Sequence, residues 1–473
     1  MRRALGGLAG AALLSACRSV TPTAVSSPHP PDWNALIAQL DGRLFLPSSS
    51  GYAAAKGVFN SRFSGSTPIA VLAATSVADV QKAVTFASAN QIGISVRSGG
   101  HSYIGASTLD AALVIDLRGL PGGIDVDDGR HVVTVPPAAS LDFVQTRLAA
   151  GGLSIPSGSC PTVGVAGLTL GGGLGSDARL HGLTCDTLVS ASLVLPSGDV
   201  VTASADDHAD VFWALRGGGG GNLGVVTSLT FRTFATTDRD VVTLSFPMES
   251  AAAVLVGWND WLSAAEKNIW GMVNLTVGDG PGRCTVILAA PSGAGSSVAS
   301  AMLAATGLSA SSTRTRTRTM SRLDFVHYFE GGDAARMPRA FIAGSDIVGE
   351  MTSAAADSIV WAMSAWPTSA GSSTAVVESL SGAVGDVDPA GSAFPWRHQS
   401  ASVQWYTEAT SPAAGGWLAA AHQALGSASV GGYLNYPEAG DPLGRYLGPN
   451  LQRFTTIRHK YDPGGLIRSG IGD

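Results

Sequence analysis

Four short stretches hold residues that could do chemistry. His101 follows Gly99 and Gly100 directly, at the close of the apolar run ISVRSGGH. Cys160, one of only four cysteines, sits in PSGSCPTVGVAG (156–167). SVQWYTE (402–408) spaces Gln404 and Tyr406 two apart, and GGYLNYPEAGDP (431–442) spaces Tyr433 and Tyr436 three apart. Imidazole and thiolate are nucleophiles, and flanking glycines let backbone come close to whatever they attack. A free phenol has a pKa near 10 and needs help to act as a base near neutral pH. Each residue also has a plainer use: a hydrogen-bonded histidine, a buried thiol, packed rings.

Glycine accounts for 60 of 473 residues, against an average of about 7%. It gathers in three clusters: RSGGHSYIG (97–105), GVAGLTLGGGLG (164–175) and LRGGGGGNLGVVT (215–227). Each could present main-chain N–H groups to phosphates. Singly they read as loop glycines; together, beside His101 and Cys160, they suggest a large phosphate-bearing ligand such as a dinucleotide. There is no GxxxxGK[ST]. GGGLG follows no clear strand and lacks the acidic residue expected about 20 positions on, so a Rossmann motif is poorly supported. HExxH, CxxC and GxSxG are absent, which leaves metal hydrolases and nucleophile-elbow hydrolases without a motif. No metal is expected.

The elements that must position these residues follow from periodicity. PIAVLAA (68–74), IGISVRS (92–98), ALVIDL (112–117) and HVVTVPP (131–137) read as strands. Thr75 or Ser76 caps a helix with Val77, Val80, Val84 and Ala87 at helical spacing, and Ser140 starts another that stops at Gly151-Gly152. TLVSASLVLPSGDVVTA (187–203) reads as two strands around a turn. Beyond Phe234 amphipathic helices lengthen, as near Ala251–Ala265, and TRTRTRT (313–319) forms a strand with one basic, solvated face. The length predicts two domains. A net charge of −6 with 14% charged residues argues against a nucleic-acid partner.

The N-terminus reads as an export signal. Arg2 and Arg3 precede the apolar run Ala4–Ala16, which is shorter than the roughly 20 residues a bilayer span needs. Leu14-Ser15-Ala16-Cys17 resembles a bacterial lipoprotein box with Cys17 as the lipidated residue; an ordinary cleavage site is the alternative. The expected location is outside a bacterial membrane, secreted or tethered through Cys17. Residues 18–31 form a Pro/Ser/Thr linker. Cys160, Cys185 and Cys284 are an odd set, so no disulfide framework is implied.

These motifs together resemble the berberine-bridge-enzyme-like branch of the flavin oxidases with the vanillyl-alcohol-oxidase/PCMH-type FAD fold. The matching residues are RSGGHSY (97–103), CPTVGV (160–165), LGGGLG (170–175), FWALRGGG (212–219), YLNY (433–436) and KYDP (460–463). The resemblance implies one FAD bonded to His101 through its 8α-methyl and to Cys160 through C6. It implies further flavin contacts from Arg97, Ser98, Gly99, Gly100, Ser102, Tyr103, Val163, Gly164, Gly167, Gly172, Gly175, Gly224, Val226, Tyr433 and Asn435. Tyr436 corresponds to the general base that takes a proton from a substrate hydroxyl while hydride passes to flavin N5. Gln404 matches a substrate-side position, and Tyr406 the place of a residue that assists the base. Val163 stands where oxidases carry Val and dehydrogenases a bulkier residue. Leu168 departs from the family's histidine near flavin N1.

The fold expected is α+β: an FAD-binding domain over 32–235, a substrate domain over 236–419 made of an antiparallel sheet backed by helices, and a C-terminal segment, 420–473, completing the FAD domain. The function expected is oxidation of an alcohol, foremost a sugar or oligosaccharide hydroxyl, with oxygen reduced to hydrogen peroxide. A dehydrogenase or secondary-metabolite tailoring oxidase is the alternative within the family. A flavin- or sugar-binding lipoprotein without turnover is the alternative outside it.

Overall fold

The computed structural model describes residues 30–309, 313–329 and 336–472. The expected signal segment, Cys17 and most of the linker lie outside these residues. Among the described residues no helix is long and apolar enough to cross a membrane.

The N-terminal half is built from two sheets. In the first, β2 (Ala70–Ala73), β3 (Ile94–Arg97) and β4 (Leu113–Asp116) run parallel in the order β2-β4-β3, and β1 (Arg43–Phe45) joins antiparallel beside β2. These strands are almost wholly apolar because both faces are covered. The helix Val77–Ala89 lies on one face. Ser76 caps it by accepting from the Asp79 N–H at 3.1 Å, and Val80, Ala83, Val84 and Ala87 are its buried stripe.

The second sheet is antiparallel: β5 (Asp125–Asp127), β6 (Val132–Val135), β10 (Val225–Arg232), β8 (Leu188–Val194) and β9 (Val200–Ser204), in that order. A short antiparallel pair, β7 (Leu153–Ser154) with β11 (Phe234–Ala235), forms a separate two-stranded sheet. The helix Leu141–Ala149, capped by Ser140, buries Leu141, Val144 and Leu148 against this sheet.

The C-terminal half centres on one eight-stranded antiparallel sheet. Its strands are β12 (Arg239–Pro247), β13 (Trp270–Val277), β14 (Arg283–Pro291), β15 (Arg314–Met320), β16 (Ile342–Val348), β17 (Ser373–Ser379), β18 (Ala401–Thr407) and β19 (Ser429–Gly431). They are ordered β15-β12-β14-β13-β17-β18-β16-β19. Period-two alternation sorts the two faces. Val242, Leu244, Val273, Leu275, Val377, Val403 and Trp405 face four helices, Ala251–Ala264, Gly295–Thr306, Ser353–Ser364 and Pro412–Leu425, in the largest core. The other face carries Met272, Glu378 and Gln404 toward the N-terminal half. The break drawn at 419/420 falls inside helix Pro412–Leu425, and β19 completes this sheet rather than the FAD domain. After Gly431 the chain does return to the N-terminal half: Ile467 bridges to Ile94.

Buried arginines pin the halves together. Arg322 forms a bidentate pair with Asp177 at 2.8 and 2.9 Å and reaches Gln145 Oε1 at 3.2 Å. Arg179 donates to the Ile269 and Ala265 carbonyls, and Arg397 pairs with Asp186 at 2.7 Å. Removing one member of a buried pair strands the other charge. Asp177→Ala should therefore cost about 3–5 kcal/mol, read as a lower urea midpoint, and replacing Arg322 with Met in the same chain should recover most of it.

Candidate active site

One elongated cavity runs between the halves. Its walls are the three glycine clusters, the open face of the eight-stranded sheet, and the segment 433–437. The glycines explain how so many segments converge. A Cβ on Gly99 would lie 2.2 Å from the Gly164 nitrogen, and a Cβ on Gly164 would lie 2.0 Å from Ser98 Oγ and 2.3 Å from the Gly99 nitrogen. The RSGGH and CPTVG segments thus cross backbone on backbone, which sets His101 and Cys160 in the wall of one cavity. Gly175 closes the same arrangement from the third segment, since its Cβ would fall 2.0 Å from the Ser157 carbonyl oxygen.

His101 stacks on Phe59 with ring centroids 4.0 Å apart, and its Nε2 lies 2.9 Å from Thr162 Oγ1. Burial drives its pKa down to about 4, the Thr162 contact opposing and the charge of Arg339 reinforcing the shift. The imidazole is therefore neutral near pH 7. In the tautomer whose Nε2–H donates to Thr162 Oγ1, Nδ1 carries the ring's lone pair. Cys160 is exposed and lines the cavity, where a thiolate would push the pKa values of Tyr103, Tyr406 and Tyr436 upward. Cys185 and Cys284, by contrast, are buried thiols whose ionisation burial opposes.

The other end of the cavity is polar backbone. The N–H groups of residues 98–103 and of Gly220 and Gly221 find no protein acceptor among the described residues. A Cβ on Gly167 would meet nothing within 4 Å, so that wall is open space. Arg468 lines the same end. Unpaired N–H groups, one guanidinium and a side-chain-free wall fit a long phosphate-bearing ligand.

Opposite His101 lies an aromatic cluster. Tyr436 stacks on Tyr103, centroids 5.3 Å apart and planes 17° apart, and meets Tyr433 edge-on at 4.9 Å. Gln404 Nε2 donates to the Tyr103 hydroxyl at 2.5 Å. Burial holds Tyr436 in its phenol form, and the charge of Glu378 adds to the effect. Glu378, on β17 beside Met272 and Ser402, is itself pushed up to about 7 by burial. A carboxyl titrating near neutrality in the same cleft as a phenol is suited to moving a proton.

Most residues expected from the sequence meet here: Ser98, Gly99, Gly100, His101, Ser102, Tyr103, Cys160, Val163, Gly164, Gly167, Gly175, Gly224, Val226, Gln404, Tyr433, Asn435 and Tyr436 all line the cavity. Three do not. Arg97 is wholly buried behind the wall, paired with Asp116 at 3.0 Å and donating to the Ala55 and Gly57 carbonyls. Gly172 packs against Phe394 and Tyr433 instead of the cavity. Tyr406 stacks on Phe341, and its hydroxyl donates to Glu408 at 3.3 Å, turned away from Tyr436. Tyr433 and Asn435 reach the wall, but their polar groups hold the GGGLG segment. The Tyr433 hydroxyl accepts from the Gly173 and Leu174 N–H groups at 2.9 Å, and Asn435 Nδ2 donates to the Leu168 carbonyl at 2.9 Å.

Glu378 escaped the sequence reading. Its one signal was a carboxylate at an alternating position of the otherwise uncharged strand STAVVES (373–379). A second cluster was equally silent: Asp346 on β16 holds His422 at 2.7 Å and Arg445 at 3.0 Å, and His422 also pairs with Glu438 at 2.9 Å. It fastens the segment carrying Tyr436 to the sheet. Burial opposes charge on His422, but the two carboxylates outweigh it and raise its pKa to about 9.

Residues 68–204 match the FAD binding domain family, and the chain is similar to FAD-linked oxidoreductases. It is 28% identical to the FAD-linked oxidoreductase YgaK of Bacillus subtilis over 401 residues, 82% of this chain and 87% of that protein. It is 40% identical to chitooligosaccharide oxidase of Gibberella zeae over 175 residues, spanning 36% of this chain and 35% of that protein. A solved structure of a chitooligosaccharide oxidase superposes with a TM-score of 0.82 at 25% identity, covering 93% of this chain and 98% of that one. The glycine-lined end of the cavity fits the FAD that a domain of this family binds.

Gly164→Ala tests the crossing. Its Cβ has no room between Ser98 Oγ and the Gly99 backbone. Overpacking of this kind should cost about 1–3 kcal/mol and, by separating the two segments, remove most of the bound flavin, read as visible absorbance per polypeptide.

Proposed function

We propose that this chain is a bicovalent FAD oxidase acting on an alcohol, foremost a sugar or oligosaccharide hydroxyl. The observation that carries the reading is Tyr436 facing Tyr103, Gln404 and Glu378 across one cavity from His101 and Cys160. His101 and Cys160 are the residues that hold the flavin. A neutral imidazole with Nδ1 unengaged and an exposed thiol are suited to forming those bonds. FAD, when bound, supplies the two-electron acceptor for the hydride leaving the substrate carbon, and oxygen then takes those electrons as hydrogen peroxide. Val163 in the cavity wall supports oxygen as that acceptor.

The proton is the protein's own task. Tyr436 cannot stand ready as a phenolate, because burial and the Glu378 charge both oppose it. It takes the substrate hydroxyl proton as its own passes to Glu378, so the phenol is never left charged beside a carboxylate. Gln404, through the Tyr103 hydroxyl, fixes the ring on which Tyr436 stacks and orients the acceptor oxygen. Oligosaccharide oxidase activity in a relative of known structure supports a sugar as substrate.

Tyr436→Phe should leave flavin attachment intact and lower the rate of flavin bleaching by substrate under nitrogen about 10²–10⁴-fold; bleaching at the normal rate removes Tyr436 from the reaction. With Glu378 near 7, the rate of flavin reduction should rise with pH through that value as the carboxylate forms. Glu378→Gln should be slow and should lose that limb. Peroxide release across a panel of sugars and simple alcohols tests acceptor and substrate together. Colour that leaves the acid-precipitated polypeptide would refute covalent attachment.

A further inference from the structure

The arginines of TRTRTRT are not on the outer face. All three point the same way because strand side chains alternate, and the register says which way. Arg316 stands in line with Thr243, Ile287, Met272 and then Glu378. Arg314 stands in line with Ser245, Thr285, Asn274, Val376 and then Gln404. Arg283, two residues before Thr285 on β14, shares this face. The threonines take the helix side: Thr319 donates to Asp240 at 2.7 Å, and a Cβ on Gly295 would lie 2.6 Å from Thr317. The arginine face is thus the cavity face.

Helix Arg322–Phe329 packs over the rows of Arg316 and Arg318, with the Tyr328 hydroxyl 3.2 Å from Thr243 Oγ1, while Ser245, Thr285, Asn274, Val376 and Gln404 in the row of Arg314 are each partly exposed. Among the strand residues of this face, no carboxylate stands between β15 and Glu378. Arg283, Arg314, Arg316 and Arg318 are exposed, and none is in an ion pair among the described residues. Five strand spacings of about 4.8 Å put Arg314 roughly 24 Å from Gln404, a span that several linked sugar units would cover.

We propose that the substrate is an oligosaccharide bearing carboxylates, whose anionic units lie on Arg283, Arg314, Arg316 and Arg318 while its terminal unit enters the cavity at Gln404 and Glu378. The proposal rests on the sugar-oxidase reading and specifies its substrate class. Guanidinium groups pair with carboxylates through two parallel N–H bonds, whereas a neutral sugar offers this row of cations no charge to neutralise. The chain's net charge is −6, so an anionic substrate is repelled elsewhere and steered to this face.

The test compares oligogalacturonate with a cello-oligosaccharide of equal length on the FAD-loaded protein. Wild type should favour the acidic substrate in kcat/KM at low salt and lose that preference at high salt. Arg314→Gln with Arg316→Gln and Arg318→Gln should cut the acidic-to-neutral ratio about tenfold, through KM. No preference in wild type, or the same ratio in the variant, overturns the proposal. If neither sugar is oxidised, the oxidase reading fails separately, and calorimetric binding of the same oligogalacturonate decides. Affinity about tenfold weaker in the variant supports the arginine face; equal affinity or no binding overturns it. Should the triple variant lose its flavin or melt early, Arg314→Gln alone replaces it in each comparison.

Discussion

Two loops can lie backbone against backbone only where neither carries a side chain, and the crossing of Gly99 with Gly164 is such a place. Everything chemical in the molecule is referred to that contact. It decides that an imidazole from the end of a parallel strand and a thiol from a loop ahead of a short helix share one wall. A methyl group at either position would push apart the segments that carry them. Side-chain packing elsewhere in the core tolerates small shifts; this contact has no flexible side chain through which to yield.

The two ends of the cavity use different physics. The glycine-lined end offers backbone dipoles and one guanidinium, which suits diffuse negative charge. The sheet end offers rings and a buried carboxyl, an apolar setting in which a charge is costly and a proton readily shared. Buried arginines hold these ends in register, because Arg322, Arg179 and Arg397 each run from one half of the molecule into groups of the other.

Local pattern made much of this legible. Ser76 and Ser140 announced their helices, and alternation in 401–407 separated Val403 and Trp405 from Gln404. His101, Cys160 and Tyr436 could be singled out because glycine or spacing marks them. What could not be read were relations between distant strands. Arg97 looked like part of the glycine motif, yet its partner Asp116 comes from the neighbouring strand. Tyr406 lay at the right spacing from Gln404, but the carboxyl whose charge reaches Tyr436, Glu378, comes from the adjacent strand β17. The same holds for TRTRTRT: its basic face was plain, but only the register across β12, β14 and β13 shows what that face adjoins.

The unequal burial of the cysteines has a practical side. Cys185 and Cys284 are buried, and burial holds both as unreactive thiols, whereas Cys160 opens onto the cavity. Among the described residues, an alkylating reagent applied to the native chain therefore reads a single sulfur. Mass added at that sulfur reports whether it is already occupied, so the proposed attachment at Cys160 can be followed without unfolding the protein.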